Sequence, residues 1–182
     1  MGGTVGPMTT DVLDGLVDGA RAQLDDAVAL RRRLHERPEL GLDLPDTQAA
    51  VLEALDALPL DVTVGESSSS VVAVLDGDEP GPTILLRGDM DALPMPEDTG
   101  LDFASHVDGA MHACGHDAHV AMLAGSARLL SARRATLAGR VVFMFQPGEE
   151  GHHGAREMLD EGLLERAAAG AAPVSMAFAI HQ

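Results

Sequence analysis

The sequence lacks lysine and contains a single cysteine in 182 residues. One cysteine excludes an internal disulfide bond. No apolar run approaches the roughly 20 residues that a membrane-spanning helix needs, and residues 1–10 lack the basic flank and apolar core of a signal peptide. We therefore expect a cytoplasmic protein, with a flexible tail over residues 1–10 and a globular part over residues 11–182.

Positive charge is also scarce. The chain has 29 acidic and 12 basic residues, all of the latter arginine, and its formal net charge is −17. A chain with this charge repels phosphate backbones and anionic lipids, which argues against nucleic acid and membrane surfaces as partners. The length and a hydrophobic content of 46% suit one domain with a sizeable buried core.

Hydrophobic periodicity predicts alternating helices and strands. Apolar residues at three- and four-residue steps predict helices over residues 11–35, 45–58, 117–132 and 155–161. Short apolar or alternating segments predict strands over residues 60–64, 71–75, 83–86, 140–145 and 174–180. This alternation indicates an α/β fold with three α/β/α layers and a mostly parallel or mixed central sheet.

The segment MHACGHDAHV, residues 111–120, concentrates groups that bind divalent metals or move protons. Taken alone, His116 or His119 is as consistent with a surface or capping histidine as with a ligand, and Cys114 with a buried inert thiol. Their clustering favours a metal site. One short loop rarely supplies four ligands to one centre.

The other polar members of this segment are therefore expected beside the metal or facing the substrate. They are His112, Asp117 and His119. Two histidines outside the segment, His35 and His106, are predicted to lie on the surface.

Three of the predicted strands, taken as buried, are each followed at once by acid/base or metal-binding side chains. These are Asp89 and Asp91, then Glu149 and Glu150, then His181. In α/β sheets the ligand site lies beyond the carboxyl ends of the strands. We therefore expect these groups to converge with the cysteine–histidine cluster on one or two divalent cations.

Adjacent Glu149 and Glu150 could divide the work of such a site, one as general base and one as ligand, although paired loop glutamates are often only solvated. A thiolate with imidazoles favours zinc, whereas a carboxylate-rich site also admits manganese, cobalt or nickel. Cys114 as a nucleophile with a histidine base is a weaker hypothesis, because Cys114 and His116 are too close in sequence for a typical pair.

Four motifs, RGDMDALP, MHACGHDAHVAMLAGSARLL, VVFMFQPGEEGHHGAREMLDEGLL and AFAIHQ, resemble the zinc aminoacylase and carboxypeptidase superfamily. The similarity is greatest to its amidohydrolase branch, which includes hippurate hydrolase, indole-acetyl-amino-acid hydrolases and N-acetyl-diaminopimelate deacetylase. LHERPELG is similar to that branch's N-terminal signature. The resemblance implies a zinc-peptidase-like fold and a C–N hydrolase that cleaves the amide bond of small N-acyl amino acids, rather than a peptide-bond-specific protease.

The resemblance also implies a site with two divalent metal ions. The implied metal ligands are Cys114, His116, Glu150 and His181. Glu149 would be the general base, Asp91 would support catalysis, and Asp89 is a second candidate for that supporting role.

Members of the superfamily continue beyond the histidine that matches His181, into a lid and dimerisation domain and then a last metal-binding histidine. The resemblance therefore implies that this chain is the N-terminal part of a catalytic domain, truncated before the lid through which the full-length form would make a homodimer. The alternative is a catalytically inactive fragment or a non-catalytic metal-binding module. The acyl group, the amino acid and the metal identity are not specified by the sequence.

Overall fold

The computed structural model describes residues 10–181. The tail predicted over residues 1–10 lies outside this range except for its last residue, Thr10, which begins the first helix. No helix within the described range is long and apolar enough to cross a membrane.

Six α-helices and five strands make up the described part of the chain. The helices are α1 Thr10–Ala22, α2 Leu24–His35, α3 Pro45–Leu55, α4 His116–Ser131, α5 Gly154–Asp160 and α6 Leu163–Ala168. The strands are β1 Asp61–Val64, β2 Val71–Asp76, β3 Glu79–Asp89, β4 Ala138–Gln146 and β5 Val174–Ala179.

The sheet is mixed, with strand order β1-β2-β4-β3-β5. Strands β3, β4 and β5 run parallel, whereas β1 and β2 pair antiparallel with their neighbours. Asp89 at the end of β3 is in register with Gln146 at the end of β4, and Arg87 is in register with Ala179 at the end of β5. The carboxyl ends of all three parallel strands therefore meet at one edge of the sheet.

Helices cover both faces of the sheet, which confirms the three-layer α/β/α prediction. Helices α2, α3 and α4 pack on one face, where Leu34, Val51 and Val120 surround the buried strand residue Phe143. Helices α5 and α6 cover the other face through the buried side chains of Met158, Leu163 and Ala167. The apolar periodicity of each helix thus finds a matching apolar face of the sheet.

Three details of the fold differ from the sequence prediction. The helix expected over residues 11–35 is two helices separated at Gln23, whose ψ of 12° departs from the helical value. Strand β3 begins at Glu79 rather than at residue 83. The segment before Thr83, where a turn was expected, pairs with β4 through Glu79 and Ala138, and the register shifts between Glu79 and Thr83. Helix α6 was not predicted, since six residues give too little periodicity to recognise.

The expectation of a third buried strand is wrong for the side chains of β5. Met176 is 48% exposed and Phe178 is 53% exposed. Within the described part of the chain β5 pairs only with β3, so it forms an edge of the sheet. Apolar composition alone does not distinguish an edge strand from a central one.

Candidate metal centre

The end of β3 supplies two buried carboxylates. Asp89 is the last residue of the strand, and Asp91 lies two residues beyond it. The Asp91 carboxylate accepts the backbone N–H of Glu149 at 2.8 Å and that of Glu150 at 3.0 Å. Asp91 therefore joins the loop after β4 to the end of β3, and it fixes the backbone from which both glutamates project.

Helix α4 supplies the central imidazole, His116, from its first position. Gly115 precedes it with φ of 80°, in the left-handed region that glycine adopts without strain. This turn places Cys114 and His116 on the same side of the chain, and His116 Nδ1 donates to the Asp91 carbonyl oxygen at 2.7 Å. Since Nδ1 carries this proton, the neutral ring presents an unprotonated Nε2 to the site.

Three carboxylates surround His116 Nε2 without forming a hydrogen bond to it. The nearest oxygens are Asp89 Oδ2 at 3.6 Å, Glu149 Oε2 at 3.9 Å and Glu150 Oε1 at 4.0 Å. Among residues 10–181 this buried nitrogen has no hydrogen-bond partner. A buried imidazole nitrogen left unpaired costs free energy unless something binds it, so each such atom calls for an explanation.

A divalent cation fits this arrangement. Two ligands of one metal ion with bonds of about 2.0–2.3 Å lie roughly 3–4 Å apart. Two groups of three side chains could each bind a metal ion, because within each group the ligand atoms lie within 4.8 Å of one another. One is Cys114, His116 and Glu150, and the other is Asp89, His116 and His119. The first group contains three of the four ligands that the sequence predicts.

The fourth predicted ligand, His181, follows β5 and reaches the same place. Its Nε2 lies 3.9 Å from Cys114 Sγ, and its ring packs edge-on against His119 with centroids 5.6 Å apart. The structure thus brings together the predicted side chains from three strand ends and from the start of α4.

Asp89 and His119 form the buried wall of the site. Asp89 contacts His119 Nδ1 through Oδ1 and Arg87 Nη1 through Oδ2, each at 2.5 Å. Arg87 also donates from Nε to Gln146 Oε1 at 2.8 Å. Arg87 and Gln146 were not among the predicted site residues. Their positions at the ends of β3 and β4, beside residues that were predicted, are the signal that could have identified them.

The electrostatic environment of the site is strongly negative. Burial, together with the hydrogen bond to Glu150 and the charges of Glu150, Asp89 and Glu149, raises the pKa of the Cys114 thiol to about 11. Burial lowers the pKa of His116, but the hydrogen bond to Asp91 and the charge of Asp89 outweigh it, and the pKa is raised. Both shifts show that the surroundings stabilise positive charge and disfavour negative charge.

Asp91 responds in the opposite direction. Burial raises the pKa of its carboxyl group, but the hydrogen bonds from His116 and from the backbone N–H groups of Glu150 and Glu149 outweigh burial and leave the pKa below 3.8. Asp91 is therefore ionised at neutral pH and can hold both backbone N–H groups as an acceptor.

Two predicted neighbours of the metal, Asp117 and His112, lie beside His35 of α2. The Asp117 carboxylate is turned toward α2, where Oδ2 accepts from Arg31 Nε at 2.7 Å and lies 2.7 Å from His35 Nδ1. His112 is buried, with both ring nitrogens lacking a partner among residues 10–181. Burial lowers the pKa of His112 to about 4, so the ring is neutral.

The prediction that His35 lies on the surface is wrong. His35 is buried, because its two ring nitrogens face the carboxylates of Asp117 and Glu97. His106, by contrast, is exposed as predicted. Sequence reasoning missed Glu97 as well, because it lies in a Pro- and Asp-rich loop that is typical of solvated surface.

Comparison with known proteins places this geometry in context. Residues 85–181, more than half of the chain, match Peptidase family M20/M25/M40. An N-acetylcysteine deacetylase of Bacillus subtilis (strain 168) is 46% identical over 138 residues, covering 75% of this chain and 36% of that protein. An N-acyl-L-amino acid amidohydrolase of Geobacillus stearothermophilus is 40% identical over 159 residues, covering 87% of this chain and 42% of that protein.

The fold agrees with solved structures as well. The Bacillus subtilis YXEP protein, described as a dinuclear metal binding peptidase, superposes with a TM-score of 0.81 at 42% identity, over 89% of this chain and 44% of that one. The chain thus spans less than half the length of the three relatives named here. The matched segment begins within β3, ends at His181 and contains every residue of the metal centre described above, and on this basis the chain belongs to Peptidase family M20/M25/M40.

Proposed function

We propose that this chain forms the metal-binding part of an amidohydrolase that cleaves the amide bond of small N-acyl amino acids. The observation that carries the proposal is the buried His116 Nε2, which lacks a hydrogen-bond partner among the described residues and faces three carboxylates at 3.6–4.0 Å. The names of the relatives support the substrate class, because a deacetylase of N-acetylcysteine and an N-acyl-amino-acid amidohydrolase both remove an acyl group from an amino acid.

The proposed metal ligands come from the loop after β4, from the residues that follow β5 and from the start of α4. They are Cys114, His116, Glu150 and His181. A thiolate, two imidazoles and a carboxylate form a donor set that suits zinc, and the surrounding carboxylates also admit manganese, cobalt or nickel. When bound, a pair of divalent cations polarises the amide carbonyl group and lowers the pKa of water.

Glu149 is the proposed general base. Its side chain is 41% exposed whereas that of Glu150 is 26% exposed, so Glu149 has the freer access to incoming water and substrate. Its carboxylate takes a proton from the attacking water and passes that proton to the nitrogen of the leaving amine. Glu150, within 4.8 Å of Cys114 and His116 ligand atoms, remains as a ligand.

Asp91 is proposed to organise the site without touching the substrate. Its carboxylate holds the backbone N–H groups of Glu149 and Glu150, and its carbonyl oxygen sets the rotation of the His116 ring. One residue thereby fixes the base, one carboxylate ligand and one imidazole ligand relative to one another. Such supporting contacts determine how precisely a metal site is assembled.

The proposal also extends to a longer protein that would contain this chain and match the relatives in length. We propose that the described residues correspond to the N-terminal part of the catalytic domain, that a lid domain contributes the remaining substrate contacts, and that the assembled enzyme is a homodimer. A non-catalytic metal-binding module is the second candidate, since the chain covers only 36% and 42% of the two relatives named above.

The test combines metal analysis with turnover of N-acetyl amino acids, on this chain and on any longer protein that contains it. We expect His116→Ala to lose bound metal, and Glu149→Gln to retain metal while turnover falls by at least about 100-fold. Glu165→Gln, which alters an exposed glutamate on α6, is the control. Turnover that survives Glu149→Gln would exclude this mechanism, and metal binding without turnover in every form would favour the module.

A further inference from the structure

A second buried polar cluster lies behind the metal centre, and the proposed chemistry does not use it. His35, the last residue of α2, lies between two carboxylates: Nδ1 is 2.7 Å from Asp117 Oδ2, and Nε2 is 3.2 Å from Glu97 Oε1. The side chains are 3%, 0% and 2% exposed for His35, Asp117 and Glu97. An ionised carboxylate only accepts hydrogen bonds, so a hydrogen bond between His35 and either carboxylate is made by a ring N–H.

The contact of His35 with Asp117, one of the two arms of the cluster, leads directly to the metal centre. Asp117 follows His116 in the first turn of α4, and its second oxygen, Oδ1, accepts the backbone N–H of Ala118 at 2.9 Å. Arg31, one turn before His35 on α2, also donates to Asp117 Oδ2 at 2.7 Å. Helix α2 therefore contacts the first turn of α4 through Asp117, the residue next to the proposed ligand His116.

The other arm leads to the loop over residues 93–110, which connects the end of β3 to His112. Glu97 accepts the backbone N–H of Ser105 at 2.7 Å and the hydroxyl of Thr99 at 2.5 Å. The Phe103 ring of the same loop packs edge-on against His35, with centroids 5.5 Å apart. His35 thus connects the loop to α4 through one imidazole ring.

Helix α4, like α2, α3, α5 and α6, begins without a side-chain N-cap hydrogen bond. Its N-cap residue is Gly115, which has no side chain with which to cap the first N–H groups, so the first turn is not fixed by a local cap. The hydrogen bond from His116 Nδ1 to the Asp91 carbonyl oxygen fixes the rotation of the ring but not the backbone that carries it. The tertiary contacts of Asp117 add a further constraint on the position of this backbone.

We infer that His35 is a positioning residue for His116, acting through its contact with Asp117, which holds the first turn of α4 in place. The inference rests on the proposed metal site, because positioning matters only if His116 binds metal. Among residues 10–181, none of the contacts described for His35 is with a proposed metal ligand. Its effect is expected in metal affinity and in the local order of α4.

A matched pair of amide variants separates the two arms. The side-chain nitrogen of asparagine lies near the position of Nδ1, so His35→Asn retains a donor to Asp117 and loses the contact with Glu97. The side-chain nitrogen of glutamine lies near the position of Nε2, so His35→Gln retains the contact with Glu97 and loses the donor to Asp117. A merely space-filling role for His35 would not distinguish the two variants.

The first readout is Co²⁺ binding, followed by the thiolate-to-metal absorption band and by competition with a chromophoric chelator. We expect His35→Gln to weaken Co²⁺ binding about 10–100-fold, the range typical of lost contacts behind metal ligands, and His35→Asn to remain within about threefold of wild type. The control is His106→Gln, which alters an exposed histidine of the neighbouring loop.

The second readout is amide hydrogen exchange over residues 116–120 in the metal-free chain, which does not depend on the metal site. These amides should exchange faster in His35→Gln than in His35→Asn. If both His35 variants fold poorly, Asp117→Asn and Glu97→Gln cut the same two arms, and only Asp117→Asn should affect residues 116–120.

Equal behaviour of the two arms in both readouts would overturn the inference. If the wild type binds no Co²⁺, the proposed function fails, and the exchange measurement still decides whether His35 holds α4. If the wild type binds Co²⁺ and both His35 variants bind it equally well, the proposed function stands and the inference about His35 fails.

Discussion

His116 donates its Nδ1 proton to the backbone carbonyl oxygen of Asp91 at 2.7 Å. A carbonyl oxygen can only accept, so this contact fixes which ring nitrogen carries the proton. The remaining nitrogen, Nε2, is directed toward the carboxylates of the site with its lone pair free. The backbone at the end of one strand therefore orients a side chain of another element to bind a cation. The first two of the four predictions below concern this centre, and the other two concern the core and the dependence of stability on pH.

The first prediction concerns the two hydrogen bonds that the Asp91 carboxylate accepts. Asp91→Asn leaves one carbonyl oxygen to accept and places an NH₂ group against a backbone N–H, so either Glu149 or Glu150 loses its anchor. We expect turnover of an N-acetyl amino acid to fall about 10–100-fold, with bound metal retained. Steady-state kinetics with metal analysis measures both, and Asp160→Asn on α5 is the control. Unchanged turnover in Asp91→Asn would contradict the positioning role of this carboxylate.

The second prediction concerns metal addition and removal. A ligand that binds only the folded state stabilises it, by about 2.7 kcal/mol when its free concentration is 100 times Kd. Zn²⁺ should therefore raise the Tm of the chain, and a chelator should reverse the rise. In His116→Ala the Tm should not respond to Zn²⁺, because the central ligand is missing. An equal rise in wild type and His116→Ala would mean that Zn²⁺ binds elsewhere.

The third prediction concerns the core between the sheet and helices α2, α3 and α4. Phe143 is fully buried in β4, so Phe143→Ala removes a large apolar side chain and leaves a cavity. We expect the free energy of unfolding to fall by about 3–5 kcal/mol, measured by urea denaturation. Phe178→Ala is the matched control on the edge strand β5, where the side chain is 53% exposed. A similar loss at both positions would contradict the exposed placement of β5.

The fourth prediction concerns the dependence of stability on pH. Hydrogen bonds from Ser67, first its hydroxyl and then its backbone N–H, together with one from the Glu66 backbone, hold the pKa of Glu161 below its ordinary value of 4.5. A carboxyl group with a lowered pKa in the folded state stabilises the protein above pH 4.5, and this contribution is lost as pH falls through the folded-state pKa.

Glu161→Gln should therefore be less stable than wild type at pH 7 and should approach it as the pH falls below the lowered folded-state pKa of Glu161. The contacts are largely exposed, so the difference at pH 7 should be less than about 1 kcal/mol. Thermal unfolding across pH 3–8 measures it, with Glu165→Gln as the control. A difference that grows as pH falls would have the wrong sign and would contradict this account.

Much of the fold could be predicted because local patterns and packing agree. The apolar periodicity of residues 117–132 matches helix α4 closely, and the apolar segment over residues 140–145 lies within β4. The positions of acidic residues after strands also predicted their convergence, since parallel strands end at one edge. Cys114 and His116 stand just before the helix predicted over residues 117–132, and in the structure His116 is the first residue of α4.

What could not be predicted depends on contacts between distant parts of the chain. His35 lies in an arginine-rich helix end that looks solvated, and its burial is due to carboxylates 82 and 62 residues away in sequence. Asp117 stands next to His116 in sequence, yet successive residues of a helix point in different directions, so it faces α2 instead of the metal centre. The exposure of β5 reflects its place at the edge of the sheet, which periodicity does not reveal.

The sheet register has a consequence for the folding pathway. Asp89 and Gln146 pair across β3 and β4, and Arg87 and Ala179 pair across β3 and β5, so the three strand ends that form the centre meet only after long stretches of chain have been brought together. Contacts of such long range form late and slowly. Cation uptake during refolding should therefore require all three strands to be paired, and it should report the completed assembly of this part of the sheet.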